Sequence, residues 1–376
     1  MLAEIAQSKR LIAVVGSHGK TTTCGMIAHG LQHCQLEANY ILGGLFSDNS
    51  TSPVHFCKSD WLVAEVDESD GTIDQFAPEV TLVLNVDWDH ADQYGDAEKL
   101  DAAFLRLLKH TKQKLLIPDS LHLKPTGGAT IETFDGAAKR LGLDPSPGGL
   151  FNKVNGDAAA AALSFFDQPL KSDTLSTFPG MARRQATLYQ DEQLTVVEDY
   201  AHHPTEINAL IECLRTTEPD KQLVVVFQPH RYSRTLQFKS DFAHSLQAAD
   251  AVYLLPVYAA HESELLGGKT SDLANAFTDR APVEIEMSLG GMRQLRDAIQ
   301  ESPSQLVFVG AGDIEEFAAA FTSWLRASAS VGQAASPGPA GEAASLDAAW
   351  ADYLVPRLSP DCKIKSYEPL ATKTTI

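Results

Sequence analysis

The sequence predicts an α/β protein with two lobes, each built on a mostly parallel sheet. The chain has 376 residues, which exceeds one ordinary domain and suits two that each bury a core. Short, nearly continuous apolar runs recur along it, as expected of strands covered on both faces. Longer segments between them place apolar residues three and four positions apart, the spacing of a helix that covers a sheet. This alternation of strands and helices favours parallel sheets.

Six apolar runs predict the main strands, three in each lobe. In chain order they are LIAVV (11–15), WLVAEV (61–66), VTLVLNV (80–86), LVVVF (223–227), AVYLLPV (251–257) and QLVFVG (305–310). The helical spacing is clearest in the second lobe, in TEINALIECLR, LQFKSDFAHSLQAA and EEFAAAFTSWL.

The lobe boundary is expected where Pro179 and Gly180 interrupt the pattern, between an alanine-rich helix and the strand TVVEDY. Further on, SASVGQAASPGPAGEAAS is small, almost uncharged and rich in Pro and Gly, which predicts a flexible linker. The expected units are a first lobe, a second lobe, the linker and a tail, at 1–180, 181–327, 328–345 and 346–376.

The composition excludes several classes of protein. Acidic residues outnumber basic ones by 49 to 30, a net charge of −19, so no nucleic-acid partner is expected. The five cysteines are odd in number and never spaced as CxxC, which argues against a disulfide framework or a zinc site. The first ten residues lack signal-peptide features, and no apolar run reaches the ~18 residues of a membrane span. We therefore expect a cytoplasmic protein without membrane insertion.

The segment GSHGKTTT predicts a phosphate-binding loop (P-loop) that holds ATP. It lies between the strand LIAVV and the helical stretch CGMIAHGLQ, which is the required order. Glycines let backbone N–H groups approach phosphate oxygens, Lys20 can reach the β- and γ-phosphates, and the Thr21 hydroxyl can bind Mg²⁺. The alternative is a glycine turn capped by Ser or Thr. The predicted nucleotide-binding residues here are Gly16, Ser17, His18, Gly19, Lys20, Thr21 and Thr22.

Two clusters of acidic residues follow predicted strands of the first lobe and are candidate Mg²⁺ ligands. AEVDESD contains Glu65, and NVDWDH ends at His90. Parallel strands deliver such residues to a crevice beyond their carboxyl ends, and hard oxygen ligands suit Mg²⁺. Any single acid could instead be a solvated turn or a helix cap. The remaining candidates in the two clusters are Asp67, Glu68, Asp70, Asn85, Asp87 and Asp89.

The second lobe has two polar turns of its own. EDYAHHPTE places Asp199, His202 and His203 between a strand and a helix, and FQPHRYSRT does the same for His230, Arg231 and Arg234. Paired arginines suit a bidentate grip on phosphate or carboxylate. Taken singly, each of these residues could be a surface or capping residue.

Eight ordered blocks, from residue 1 to about 325, make the chain resemble the Mur ligases. They are GSHGKTTT, AEVDESD, LNVDWDHADQYGD, FNKVNGDAAAAA, GMARR, EDYAHHPTE, FQPHRYSRT and VGAGDI. The resemblance implies a central P-loop ATPase domain and a C-terminal Rossmann-like α/β domain. It also implies a two-step reaction in which ATP phosphorylates a carboxylate and the amine of an amino acid then attacks the acyl phosphate.

The resemblance assigns roles residue by residue. Lys20 and Thr21 would bind the phosphates, with Thr21, Glu65 and His90 as the metal ligands. Asn152 or Asn155 would lie near the adenine, and Arg184 and Asp199 would contact ATP from the second lobe. The amino-acid and acyl-phosphate side would be shaped by Tyr200, His202, His230, Arg231 and Arg234. The residues with catalytic roles would be Lys20, Glu65, His90, His202 and Arg231.

Finer details favour the branch that adds L-alanine to UDP-N-acetylmuramate. Phe104 stands where several family members carry a modified lysine, and DYAHHPTE and HRYSRT resemble the alanine-adding branch. The alternatives are a ligase that reattaches recycled tripeptide to UDP-N-acetylmuramate, and an ATP-binding fragment without complete ligase activity. A P-loop kinase or GTPase is disfavoured because no guanine-reading motif occurs.

The sequence departs from the family pattern in places. Members normally begin with a UDP-binding domain, whereas the P-loop strand here starts at Leu11, so we expect that domain to be missing or separate. Glu198 replaces a common aspartate, and RRQA lacks the usual aromatic residue. The tail resembles the start of UDP-N-acetylenolpyruvoylglucosamine reductase, a flavin enzyme, which implies a fused reductase domain. Its alternative is an unstructured tail with a short helix at 348–354.

Overall fold

A computed structural model describes residues 2–48, 51–89, 91–146, 148–166 and 168–334. It confirms the α/β class, with two mostly parallel sheets that follow one another along the chain. His90, most of the predicted linker and the tail lie outside the described residues.

The first lobe has a seven-stranded sheet in the order β3-β2-β4-β1-β5-β6-β7. All neighbouring strands pair in parallel except β2 and β3. The strands are β1 Arg10–Val15, β2 Asn39–Ile41, β3 Val54–His55, β4 Trp61–Glu65, β5 Val80–Val83, β6 Lys114–Ile117 and β7 Thr130–Thr133.

Helices cover both faces of this sheet, which explains why its central strands are apolar without alternation. One apolar cluster packs α2 and α6 against the sheet, and another packs α1 and α4 on the opposite face. Phe104 on α4 is wholly buried in the second cluster. The helices are α1 Leu2–Gln7, α2 Lys20–His33, α3 Ala91–Tyr94, α4 Ala97–His110, α5 Ala137–Arg140 and α6 Leu150–Leu163, with a 3-10 turn at Ile73–Gln75.

The second lobe has a six-stranded sheet in the order β12-β11-β10-β13-β9-β8, parallel except for β8 and β9. One face packs against α7, α8 and α9, and the other against α10 and α11. The strands are β8 Ala186–Gln190, β9 Leu194–Asp199, β10 Gln222–Phe227, β11 Ala251–Leu254, β12 Val283–Glu284 and β13 Ser304–Val309; the helices are α7 Pro204–Thr217, α8 Tyr232–Leu246, α9 Thr270–Ala274, α10 Leu289–Ile299 and α11 Ile314–Ala334.

The chain crosses between the sheets after a 3-10 turn at Ser172–Thr174 and before β8 begins at Ala186. One expectation at the other end is wrong. Helix α11 continues to Ala334, so the flexible linker does not begin at residue 328. The residues SASVGQA are small but contain no proline, and they can extend a helix that is already anchored by buried Phe317 and Phe321. No helix in the described part of the chain is long and apolar enough to cross a membrane.

Candidate functional site

The predicted phosphate loop connects the buried strand β1 to the 14-residue helix α2. Gly16 has φ 141° and Gly19 has φ 83°, conformations that side chains disfavour. A Cβ atom on Gly19 would lie only 2.6 Å from Oδ1 of Asn155. Both glycines are therefore required by the backbone, and the loop delivers Lys20 to the first turn of α2, where free N–H groups favour an anion.

The segment after β5 holds this loop from one side. The Asn85 amide accepts from His18 N at 2.8 Å and donates to His18 O at 3.0 Å. The Ser17 hydroxyl donates to Asp87 O at 2.8 Å and accepts from Asp87 N at 2.9 Å. These four side-chain hydrogen bonds, and a fifth from Ser17 N to Asn85 O at 3.4 Å, tie the loop to residues 85–87.

Lys20 lies in an acidic setting. Its Nζ donates to Gly16 O at 2.6 Å and to Glu68 Oε2 at 2.9 Å, and it lies 3.5 Å from Asp67 Oδ1. Burial would lower the pKa of Lys20, but Glu68 and Asp67 raise it overall, so the side chain is an ammonium ion. Glu68 is buried, with 1% of its surface exposed, and its carboxylate lies nearer to Lys20 than that of Asp67. Because AEVDESD offers four acids, the sequence did not identify Glu68 as the partner.

Thr21 and Glu65 form the candidate metal position. The Thr21 hydroxyl donates to Glu65 Oε2 at 2.9 Å and lies 3.2 Å from Oε1. Burial raises the pKa of Glu65, although Lys20 and Thr21 oppose that effect. A hydroxyl and a carboxylate are ligands that Mg²⁺ accepts, so this pair fits the predicted ion.

Within the described ranges, no three His, Cys, Asp or Glu side chains are grouped closely enough to hold a metal by themselves. Phosphate and water oxygens would supply the remaining ligands, as is usual for Mg²⁺. The predicted ligand His90 falls outside those ranges.

The two lobes meet over a cavity of about 80 Å³ beside the loop. Asn155 lies on α6 with its amide 3.4 Å from Oδ1 of Asn152. The cavity is smaller than the ~300–1,000 Å³ of ordinary ligand pockets, so its walls as they stand do not enclose a whole nucleotide. Predicted residues from both lobes line it together: His18, Gly19, Thr22, Asn152, Asn155, Arg184 and Asp199.

Asp199 and Arg184 enter this cavity from the second lobe. Asp199 ends β9, and its carboxylate accepts from Gln185 N at 2.8 Å and from Ala201 N at 2.7 Å. Burial raises the pKa of Asp199 to about 6, while Arg184 and the two amides oppose that effect. The Arg184 guanidinium lies 4.8 Å from the ring centre of Tyr200. Backbone amides thus hold Asp199, and the aromatic face of Tyr200 holds Arg184.

Two of the three candidate histidines of the second lobe, His202 and His230, lie together with ring centres 6.0 Å apart, while His203 caps the N-terminus of α7. His202 Nδ1 lies 3.0 Å from Tyr200 O, a carbonyl, so Nδ1 carries the hydrogen and Nε2 is left as an acceptor. Burial lowers the pKa of His202 to about 4 and that of His230 to about 3. Both imidazoles are neutral at pH 7. Arg231 immediately precedes α8 as its N-cap with φ 71°, and its N–H donates to Tyr258 O at 2.8 Å.

Arg234 contacts both a predicted substrate residue and the first lobe, since its Nη1 lies 3.2 Å from His230 Nδ1. Its Nη2 lies 3.1 and 3.0 Å from the two oxygens of Asp89, and its Nε lies 3.1 Å from Oδ1. The guanidinium therefore pairs with a carboxylate of the first lobe, and its role toward substrate stays a prediction.

Glu206 is a further residue of this cleft that the sequence did not single out. One carboxylate oxygen accepts from His202 N at 2.9 Å, and the other lies 3.2 Å from His18 Nδ1. On its other side, His18 Nε2 lies 3.1 Å from Asp87 Oδ2. HPTE has the pattern of a helix cap, and α7 is capped in this way, so nothing in that pattern indicated a contact across the cleft.

Comparison with known proteins gives matches in both lobes. The family model described as the Mur ligase middle domain matches residues 14–121, and that described as the Mur ligase glutamate ligase domain matches residues 183–312.

Curated relatives and a solved structure agree with these matches. UDP-N-acetylmuramate–L-alanine ligases from Desulforapulum autotrophicum and Cytophaga hutchinsonii are 32% and 30% identical, each over 84% of this chain and over 76% and 74% of their own lengths. The crystal structure of a UDP-N-acetylmuramate–alanine ligase from Thermotoga maritima has a TM-score of 0.66 at 24% identity, covering 87% of this chain and 78% of that one.

Proposed function

Because the chain belongs to the Mur ligase family of ATP-dependent, ADP-forming ligases, we propose that it joins L-alanine to UDP-N-acetylmuramate through an acyl phosphate. The substrates are those in the names of its curated relatives. The main structural support for the proposal is how the two lobes face each other. The phosphate loop, with Thr21 2.9 Å from Glu65, faces Arg184 and Asp199 of the second lobe across one cavity. A cytoplasmic location suits a reaction that consumes ATP.

The first step transfers the γ-phosphoryl group. A substrate carboxylate oxygen attacks the γ-phosphorus, the bond to the bridging oxygen breaks, and ADP leaves with the electron pair. Lys20 and the N-terminus of α2 stabilise the negative charge of the phosphoryl group. Mg²⁺, when bound near Thr21 and Glu65, neutralises part of that charge. Lys20 must exchange its contact with Glu68 for phosphate oxygens during this step.

The second step forms the amide. The neutral amine of L-alanine attacks the acyl carbon, the bond from that carbon to the phosphate oxygen breaks, and inorganic phosphate leaves with the proton that the amine loses. His202 is the residue we assign to guide that amine, because its neutral Nε2 is an acceptor. Arg231 would balance the charge of the acyl phosphate. Closed lobes exclude water, which would otherwise hydrolyse the acyl phosphate.

Lys20 provides the test of this proposal. The purified chain is supplied with ATP, Mg²⁺, UDP-N-acetylmuramate and L-alanine, and amide product and ADP are measured by mass spectrometry. Lys20→Ala should lower turnover by ~100-fold or more, because it removes a cation from the transferring phosphoryl group. Lys153→Ala is the matched control, since Lys153 is exposed on α6 and pairs with Asp157. Near-normal turnover by Lys20→Ala would refute the assigned role.

The alternatives give different products in the same assay. The curated relatives are longer than the region that matches this chain. The assay is therefore repeated with the unmatched part of one relative added as a separate polypeptide. Binding of Mg·ATP with no amide product under either condition would favour a nucleotide-binding module. Faster use of a muramyl tripeptide than of L-alanine would favour the recycling ligase.

A further inference from the structure

The segment 85–89, which follows β5, contacts both lobes. On one side, Asn85 and Asp87 make the four hydrogen bonds to Ser17 and His18 described above. Two of these bonds involve the backbone of His18 and two involve the Ser17 hydroxyl, and Ser17 N–H also donates to Asn85 O at 3.4 Å, so a shift of the segment would shift the loop itself. On the other side, the next two residues of the segment reach the second lobe.

Trp88 and Asp89 both contact helix α8. The Trp88 and Phe238 rings lie edge to face with centres 6.1 Å apart. Asp89 pairs with Arg234 through three contacts of 3.0 to 3.1 Å. Arg234 and Phe238 are four residues apart, so the segment lies along one side of α8.

The pair between Asp89 and Arg234 joins the two lobes and is buried where they meet. Their side chains are 8% and 6% exposed, so water is excluded from both charges. Separation of the lobes would return both to water, whereas loss of one partner within the closed form would leave a buried charge uncompensated. Arg234 therefore holds segment 85–89 against α8 through a buried ion pair.

We propose that Arg234 is a positioning residue for the phosphate loop: in the closed form it holds Asp89 and, through segment 85–89, fixes Ser17 and His18 in their nucleotide-binding arrangement. The inference rests on the proposed function in that residues 16–21 bind the nucleotide. Arg234 itself lies in the other lobe and touches none of the loop residues through the contacts described. Closure and phosphate binding are then coupled across the cleft.

The experiment measures Mg·ADP affinity by calorimetry in Asp89→Asn, Arg234→Gln and the double variant. Each single variant should bind Mg·ADP about tenfold more weakly, in the range of coupling changes for residues that contact no ligand. The double variant should bind no more weakly than the weaker single variant, because both changes remove the same contact. It also removes both charges, so it stays testable if a single variant folds poorly.

The matched control is Arg215→Gln. Arg215 pairs with Asp250 at 2.7 Å in the same lobe, away from segment 85–89, so its loss should leave the affinity for Mg·ADP unchanged. Amide hydrogen exchange gives a second readout. Arg234→Gln should speed exchange at Ser17 and His18 as well as near α8.

Two results would overturn the inference. Unchanged Mg·ADP affinity in a folded Asp89→Asn variant would make the pair a static contact, as would faster exchange confined to α8. A native chain that does not bind Mg·ADP would overturn the proposed function and this inference together. Equal binding by the native chain and the variants would overturn this inference alone.

Discussion

Gly19 is the residue at which the phosphate loop tolerates least change. Its φ of 83° disfavours any side chain, and a Cβ would press on Asn155 at 2.6 Å. Gly19→Ala should therefore lose ~1–2 kcal/mol of folding free energy through backbone strain. It should also weaken ATP binding, because Asn155 lines the same cavity. Urea unfolding and ATP titration measure the two effects.

Gly142→Ala is the matched control, because it introduces backbone strain away from the phosphate loop. Gly142 has φ 68°, and a Cβ there would meet nothing within 4 Å. Gly142→Ala should lose a similar folding free energy and bind ATP normally. If both variants bound ATP equally well, the contact between Gly19 and Asn155 would have no part in binding.

The residues at this scale were predictable to different degrees. Lys20, Thr21 and Glu65 were predictable because a glycine turn and a strand end fix their positions from local sequence. Glu206 was not singled out, and Asp89 was predicted only as a candidate Mg²⁺ ligand, since their partners, His18 and Arg234, belong to the other lobe. A spacing rule describes neighbours along the chain and carries no information on such pairs.

At the scale of elements, burial decided which strands could be predicted. The six long apolar runs became β1, β4, β5, β10, β11 and β13, each packed between helices. The missed strands are short, and β3, β7 and β12 are mostly exposed. Edge strands need no continuous apolar run, so composition does not distinguish them from loops.

Helices α2 and α6 pack closely because α2 carries Gly30 at their contact. A Cβ at Gly30 would overlap Cδ1 of the buried Leu163. Gly30→Ala should therefore destabilise the protein by ~1–3 kcal/mol through overpacking, although alanine favours a helix by ~1 kcal/mol. Urea unfolding measures the change in free energy.

Two variants test this explanation of the packing. Gly290 lies in α10, and its Cβ would approach only Ser288 Oγ at 3.5 Å, so Gly290→Ala should stabilise by up to ~1 kcal/mol. Leu163→Ala makes room at α2, so the Gly30→Ala/Leu163→Ala double variant should lose less free energy than the sum of the singles. Strict additivity would contradict the predicted overlap.

At the scale of the whole molecule, His18 links the two lobes. Its ring lies between Asp87 of the first lobe and Glu206 of the second, at 3.1 and 3.2 Å. Burial lowers the pKa of His18, but the two carboxylates raise it overall to about 9. The His203 ring lies 5.0 Å away, and burial together with the charge on His18 lowers the pKa of His203. At pH 7 the lobes are therefore joined by an imidazolium ion between two carboxylates.

The stability of the closed form should consequently fall in alkaline solution. The pKa of His18 is about 9 in the folded protein and 6.5 for an ordinary histidine, so its contribution is complete below about pH 6.5 and is lost as the pH rises through 9. The loss between pH 7 and pH 10 should be on the order of 3 kcal/mol. Urea unfolding at the two pH values measures this loss.

His18→Asn should abolish most of the alkaline fall in stability, whereas His122→Asn, which removes an exposed contact to Asp101, should preserve it. An equal fall in the native protein and in His18→Asn would mean that the alkaline loss arises from other groups, and that the ion between the lobes does not hold them together.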